Sequence, residues 1–152
     1  MSAIDVIGVT VPARPAAPAK RPYRVFVRWI VDGMNVIGSR PDGWWKDRGR
    51  AMATLVERLD RWACDGGETV TVVFERPPTT VITSSVVEIA HAPRAAANSA
   101  DDEIVRLVRA DSSPHDIRVV TSDRALHDRV RTLGASVYPA ERFRELIDPR
   151  GR

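Results

Sequence analysis

The sequence predicts one α/β domain built on a mostly parallel sheet of about five strands, flanked by helices. Short, nearly continuous apolar runs alternate with segments in which apolar residues recur every three or four positions. This order is typical of strands and amphipathic helices in parallel α/β proteins. The apolar runs also lack the polar alternation of a sheet with one wet face, so helices are expected on both faces. A length of 152 residues suits a single domain.

Each predicted strand is an apolar run, and the runs lie at residues 25–31, 70–74, 86–90, 117–121 and 136–138. The longest predicted helix begins near Asp47, and Gly66-Gly67 ends it. Three further helices are predicted from apolar residues at helical spacing. Their inward-facing residues are Ile104, Leu107 and Val108, then Leu126, Val130 and Leu133, then Phe143, Leu146 and Ile147.

The first 22 residues differ from the rest because they are rich in Pro and Ala. Such a segment buries too little apolar surface to order itself, so we expect a flexible tail at 1–22 and a domain at 23–152. A single cysteine excludes an internal disulfide framework. No apolar run reaches the roughly 20 residues of a membrane span, and no secretory leader is evident. We therefore expect a cytoplasmic protein, and its net charge of +3 permits a polyanionic partner.

Acidic residues follow the predicted strands. Asp32 follows the first strand, Glu75 the second and Asp123 the fourth, while Asp101 and Asp102 open the helix after the third. Parallel α/β sheets bind ligands at this edge. Clustered carboxylates repel one another unless a cation lies between them, and oxygen ligands select a hard ion such as Mg²⁺ or Mn²⁺. The sequence therefore predicts a metal site suited to phosphodiester hydrolysis.

Helix capping and turns offer simpler explanations for the same acids. Ser99 and Asp102 have the spacing of a capping box, and Asp123 could cap the helix that follows it. Asp32-Gly33 could form only a turn. Capping explains Asp32 least well, because the next predicted helix begins near Asp47. Three acids at one sheet edge are also more than capping requires.

Three strings in the chain resemble the NYN domains of the PIN-like nuclease superfamily, and among them the YacP-like subgroup. They are Val-Asp-Gly-Met-Asn-Val-Ile-Gly at 31–38, Ala-Asp-Asp-Glu-Ile at 100–104 and Val-Val-Thr-Ser-Asp-Arg at 119–124. The resemblance extends over residues 23–147. One position departs from the family pattern, in which the second strand commonly ends in Phe-Asp, because here Glu75 follows the phenylalanine. We place Glu75 at most in the outer shell of the site.

The resemblance implies a PIN-like Rossmannoid fold and a Mg²⁺- or Mn²⁺-dependent endoribonuclease that cuts single-stranded RNA. The family's metal-site acids correspond to Asp32, Asp101 and Asp123, which are the expected catalytic and metal-binding residues. Asp102 is a further candidate metal ligand. Asn35 follows the first acid and is expected to position the substrate phosphate or a metal-bound water. Messenger RNA and ribosome-associated RNA are the candidate substrates.

Aromatic and basic residues follow the first acidic string. Trp44 or Trp45 could stack on an unpaired base, while Lys46 and Arg48 could hold phosphates. Arg124 follows the last acid and could also contact a phosphate. The alternative is that one tryptophan packs against the core and the cations are solvated.

Two other functions compete with the nuclease. One is an RNA-binding or ribosome-associated module that cleaves weakly or not at all. The other is a phosphatase of the haloacid-dehalogenase type, which needs a second Asp two residues after the nucleophilic one. The sequence disfavours that enzyme, because Asp32 is followed at that spacing by Met34.

Overall fold

The computed structural model describes residues 27–94 and 98–150, so the tail predicted at 1–22 lies outside the described residues. The strands of the described part are β1 (Arg28–Asp32), β2 (Thr69–Phe74), β3 (Glu88–His91), β4 (Ile117–Val120) and β5 (Ser136–Tyr138). They form one sheet in the order β3-β2-β1-β4-β5, and every pairing is parallel. The predicted α/β fold class is therefore confirmed.

Helices cover both faces of this sheet. They are α1 (Gly33–Ile37), α2 (Arg48–Gly66), α3 (Ser99–Ala110), α4 (Arg124–Thr132) and α5 (Ala140–Ile147). Helices α1, α2 and α5 bury one apolar core, and α3 and α4 bury the other. None of the helices in the described residues is long and apolar enough to cross a bilayer.

Aromatic rings fill the centre of the core under α2 and α5. Trp29 on β1 is 6% exposed and lies 5.3 Å from the ring of Trp62 and 5.4 Å from that of Phe143. The indole N–H of Trp29 donates to Glu68 at 3.0 Å, which satisfies its polar atom. Leu146 was expected to face inward, but it is 43% exposed.

Helix α2 begins and ends as the sequence predicts. The Asp47 carboxylate accepts a 3.0 Å hydrogen bond from the Arg50 backbone N–H, which is an N-cap. Gly67 ends the helix in the left-handed region at φ +67°. Strand β3 starts two residues later than expected, because the Ser84 hydroxyl accepts the backbone N–H groups of Val86 and Val87 in a turn.

Helix α1, which begins directly after Asp32, was not predicted from the sequence. The expectation that the first helix starts near Asp47 is therefore wrong, and Asp32-Gly33 is not a simple turn. Gly33 is needed here because a Cβ at this position would lie 2.5 Å from the Phe74 ring. The glycine allows the first turn of α1 to pack directly against the end of β2.

Candidate active site

The candidate site lies at the carboxyl edge of the sheet, where β1 and β4 end side by side. Asp32 is the last residue of β1, and Asp123 is the N-cap of α4. Asp101 lies in the first turn of α3. The hydroxyl of Thr121, just after β4, donates to Asp32 Oδ2 at 3.0 Å. The topology therefore brings together acids that are up to about ninety residues apart in sequence.

Asp32 is the most deeply buried acid of the site, with 6% of its surface exposed. Burial is the main reason that its pKa rises from 3.8 to about 7. The Thr121 hydroxyl and the Asn35 backbone N–H act in the opposite direction, while the charges of Asp101 and Asp123 raise the pKa further. The folded protein therefore holds a carboxyl group that titrates near neutral pH.

Asp101 belongs to the same electrostatic cluster. Its pKa is raised, first by burial and then by the charge of Asp123. The nearby charges of Asp102 and Glu75 raise it as well, and Arg129 lowers it. Glu75 thus influences Asp101 through its charge, which agrees with an outer position.

Asp123 does cap a helix, as the simpler explanation proposed. Its Oδ1 atom accepts the backbone N–H of Leu126 at 3.0 Å. A carboxylate has lone pairs on two oxygens, so capping does not prevent it from binding a ligand.

The capping box expected at Ser99 is wrong, because Asn98 is the N-cap of α3 and its side chain makes no cap hydrogen bond. Asp32 precedes α1 but also makes no side-chain cap hydrogen bond.

Asp102 lies at the border of the cluster. Its side chain is 72% exposed and pairs with Arg129 at 3.1 Å. It also lines a shallow depression together with Arg94 and Arg106. Its role as a metal ligand stays a prediction.

Asn35 links the first acidic string to the last one. Its Oδ1 atom accepts the backbone N–H of Ser122 at 2.8 Å, and so fixes the loop that precedes Asp123. The Ser122 hydroxyl in turn donates to Glu141 at 2.8 Å and accepts the Ala140 backbone N–H at 3.0 Å. These contacts join α1, α4 and α5 at the site. The structure thus gives Asn35 a positioning contact, and its contact with substrate stays a prediction.

Thr121 and Ser122 also belong to the site, although no role was predicted for either of them. The signal was present in the string Thr-Ser-Asp at the end of a buried strand, because polar residues at that place face the ligand edge. Thr121 is 1% exposed, so its hydroxyl has to find protein partners.

The predicted RNA-binding residues lie on a 3₁₀ turn, Trp44–Lys46, on the first turn of α2 at Arg48, and at the start of α4, where Arg124 follows Asp123. Trp44 is partly buried and packs against the core, whereas Trp45 is 51% exposed. The Arg48 guanidinium lies 5.1 Å from the centre of the Trp44 ring. Lys46 and Arg124 are exposed. One tryptophan therefore packs against the core and the other projects into solvent, and the RNA contacts of these residues stay predictions.

The donor chemistry of the cluster fits a hard divalent cation. Its ligands are carboxylate oxygens, and the raised pKa values of Asp32 and Asp101 reflect burial and mutual repulsion that a cation relieves. Within residues 27–94 and 98–150, however, no three His, Cys, Asp or Glu side chains are arranged so that they could hold an ion. Ion binding therefore requires the carboxylates to converge.

Known proteins share both the sequence pattern and the fold. The family model of the YacP-like NYN domain matches residues 29–151. The crystal structure of Rae1 (YacP) from Bacillus subtilis superposes with a TM-score of 0.63 and 27% identity, covering 81% of this chain and 76% of that one. A tryptophan-to-leucine mutant of that protein superposes with a TM-score of 0.64 and 26% identity, covering 82% of this chain and 78% of that one. The search of curated proteins gave no significant match. The chain belongs to the YacP-like NYN domain family, and its function is therefore of the nuclease type and related to RNA.

Proposed function

We propose that this protein is a divalent-metal-dependent endoribonuclease that hydrolyses phosphodiester bonds in single-stranded RNA. One observation carries the proposal: the charges of Asp101 and Asp123 both act on the buried carboxyl group of Asp32. These acids come from three separate elements, so their proximity is a product of the fold. A nuclease of this class needs such a cluster to bind its ion.

Asp32, Asp101 and Asp123 would hold Mg²⁺ or Mn²⁺, with Asp102 as a further candidate ligand. The bound ion supplies activation of water and stabilisation of the leaving oxygen. Thr121 fixes the orientation of Asp32, because it donates to Oδ2 at 3.0 Å. Asn35 holds the loop before Asp123 in place.

The neighbouring surface supports an unpaired RNA substrate. Trp45 is exposed, and a base can stack on an indole only when it is free of its partner strand. Lys46, Arg48 and Arg124 are exposed cations that would contact the phosphates. The exposed thiol of Cys64, the only cysteine in the chain, suits the reducing cytoplasm that we propose as its location.

Cleavage of a labelled single-stranded RNA tests the proposal. The wild type should cut in Mn²⁺ or Mg²⁺ and not in EDTA, and Asp32→Asn should lose at least about 100-fold in rate, because the ion loses its central ligand. Asp116→Asn is the matched control. It removes a carboxylate at the opposite end of β4 and should leave cleavage unchanged. Equal cleavage by the wild type and Asp32→Asn would refute the assignment.

A second candidate is an RNA-binding or ribosome-associated module with weak or no cleavage. The observation that favours it is that the acids of the described residues are not arranged as a ready ligand set. Asp123→Ala separates the two functions. If the protein is a nuclease, Asp123→Ala abolishes cleavage by an enzyme that is active as the wild type. If it is a binding module, the wild type and Asp123→Ala both bind RNA and neither cuts it.

A further inference from the structure

A cleft of about 340 Å³ opens beside the acidic edge, between the first turn of α2 and the loop that follows β2. Its lining includes Met34, Met52, Phe74, Pro77 and Pro78 on the apolar side. Arg48 and Arg76 line it as well. We propose that this cleft binds a base of the RNA next to the bond that is cut. The inference rests on the proposed function, because it assigns a subsite to the same substrate.

The cleft is continuous with the acidic cluster through the backbone. Asp32 pairs with Val73 in the parallel register of β1 and β2, so Phe74 and Glu75 continue directly beyond the level of Asp32. Both Phe74 and Glu75 line the cleft. The backbone carbonyl of Glu75 accepts a hydrogen bond from the Ser99 hydroxyl at 3.3 Å, in the turn that carries Asp101. A nucleotide in the cleft therefore lies next to the acids.

Buried side chains fix the shape of the cleft floor. The Phe74 ring has no exposed surface, and it packs so closely on Gly33 that a Cβ there would lie 2.5 Å away. Met52 is also buried, whereas Met34 is partly exposed. Thioethers adapt their shape and contact aromatic rings favourably, so the partly exposed Met34, together with Pro77 and Pro78, offers an apolar wall for a flat base.

The charges at the cleft suit the phosphates on either side of such a base. Arg48 and Arg76 are exposed, and neither forms an ion pair with another described residue. Arg48 also lies over the Trp44 ring, next to the exposed Trp45. A strand that stacks on Trp45 can therefore enter the cleft past Arg48.

A second cleft on the same side of the sheet does not have these properties. It is lined by Arg58 and Arg144, among others. Both of these guanidiniums pair with Asp148, and Arg144 also pairs with Asp42 at 3.0 Å. Two of its three lining cations are therefore neutralised, and only Arg50 forms no ion pair with another described residue, so this second cleft offers less to a phosphate.

Gly49 provides a way to fill the proposed subsite without substituting an acid of the candidate site. It lies in the first turn of α2 and lines the cleft. A Cβ there would lie 3.6 Å from Thr79 Oγ1 and 3.8 Å from Asp47 Oδ1, which are ordinary contacts. Gly49→Leu therefore carries an apolar group into the cleft and replaces a helical glycine with a better helix former. Ala53→Leu is the matched control, because Ala53 is exposed on the same helix and does not line the cleft.

The probes are a labelled single-stranded oligoadenylate and an abasic ribose-phosphate chain of equal length, both in EDTA so that neither is cut. Gly49→Leu should weaken oligoadenylate binding about tenfold, the loss expected for one base contact. It should leave the abasic chain unaffected, and Ala53→Leu should bind both chains as the wild type does. Thr79→Leu fills the cleft from the opposite wall and should reproduce the effect of Gly49→Leu.

Two results would overturn the subsite. One is unchanged oligoadenylate binding in both Gly49→Leu and Thr79→Leu, and the other is an equal loss for both chains, which indicates weakened phosphate contacts. Metal-dependent cleavage is measured separately on the wild type. If Gly49→Leu and Thr79→Leu lose affinity only for oligoadenylate and the wild type does not cut RNA, the result supports the cleft and contradicts the nuclease. If the wild type cuts RNA and these variants lose no such affinity, the result supports the nuclease and contradicts the cleft.

Discussion

The Thr121 hydroxyl donates a 3.0 Å hydrogen bond to the buried carboxylate of Asp32. The same hydroxyl oxygen accepts the backbone N–H of Asp123 at 3.1 Å. One buried side chain thus connects the acid at the end of β1 to the acid at the start of α4. Its hydrogen bond favours the ionised form of Asp32, and so opposes the rise in pKa that burial causes.

Removing this hydroxyl should therefore destabilise the protein. In Thr121→Val the buried Asp32 carboxylate and the partly buried Asp123 N–H both lose a hydrogen-bond partner, which costs about 1–3 kcal/mol. The loss in free energy of unfolding should be larger at about pH 8 than at about pH 5, because the charged carboxylate depends more on the donor. Thr121→Ser keeps the hydroxyl and should recover most of the stability in urea denaturation. Equal stability of the valine and serine variants at the higher pH would contradict this role.

Asp32 should also make stability depend on pH. Its folded pKa of about 7 lies above the ordinary value of 3.8, so the folded state binds the proton more tightly than the unfolded state. The free energy of unfolding should therefore fall as the pH rises from about 4 to about 7. Asp32→Asn removes this loss of stability, and its free energy of unfolding should exceed that of the wild type by on the order of 4 kcal/mol at about pH 8. At about pH 4 the two should be equally stable.

Urea titrations of both proteins across this pH range provide the measurement. A constant difference between Asp32→Asn and the wild type at every pH would show that Asp32 does not titrate in this window.

A divalent cation should offset the loss of stability that accompanies ionisation of Asp32. Mn²⁺ competes with the proton on Asp32, so its affinity should rise as the pH passes through about 7. Thermal unfolding should show a higher Tm with Mn²⁺, and the increase should be larger at about pH 8 than at about pH 6. Asp32→Asn should show little increase at either pH. An increase of equal size in the variant would place the ion elsewhere.

Much of the fold could be predicted from the sequence because the signals are strong. A parallel sheet buried on both faces leaves continuous apolar runs, and α2 has a capping Asp47 and a terminating Gly67. Helix α1 was missed because Gly33–Ile37 makes little more than one turn, too short to show a period. Tertiary packing determines it, through the contact of Gly33 with Phe74.

The site could be predicted only at the level of its acids. Placing acids at strand ends follows from topology, and Asp32, Asp101 and Asp123 do form one electrostatic cluster. The contacts that hold them depend on side-chain geometry that no pattern encodes. The hydrogen bond from the Ser122 backbone to Asn35 spans 87 positions, and only the finished fold brings its ends together.

Asp148 should anchor α5 on the side of the fold that carries α1. Its carboxylate pairs with Arg40 at 3.1 Å and Arg58 at 3.0 Å, and lies 3.7 Å from Arg144. These guanidiniums come from different elements, and Asp148→Ala leaves them without a shared counter-charge. We expect a loss of about 2 kcal/mol in chemical denaturation. Glu145→Gln is the control, because this exposed partner of Arg40 should contribute less than about 1 kcal/mol. Equal losses would argue against a central role for Asp148.

The two neighbouring tryptophans should separate stability from RNA affinity. Trp45 is 51% exposed, so Trp45→Ala should leave the free energy of unfolding within about 0.5 kcal/mol of the wild type. It should weaken binding of single-stranded RNA about tenfold, through the loss of a stacking surface. Trp44 packs against the core, so Trp44→Ala should reduce stability by more than 1 kcal/mol, on the order expected for a partly buried aromatic ring. Fluorescence anisotropy with a labelled RNA and urea denaturation measure the two effects. Unchanged RNA affinity in Trp45→Ala would remove this residue from the binding surface.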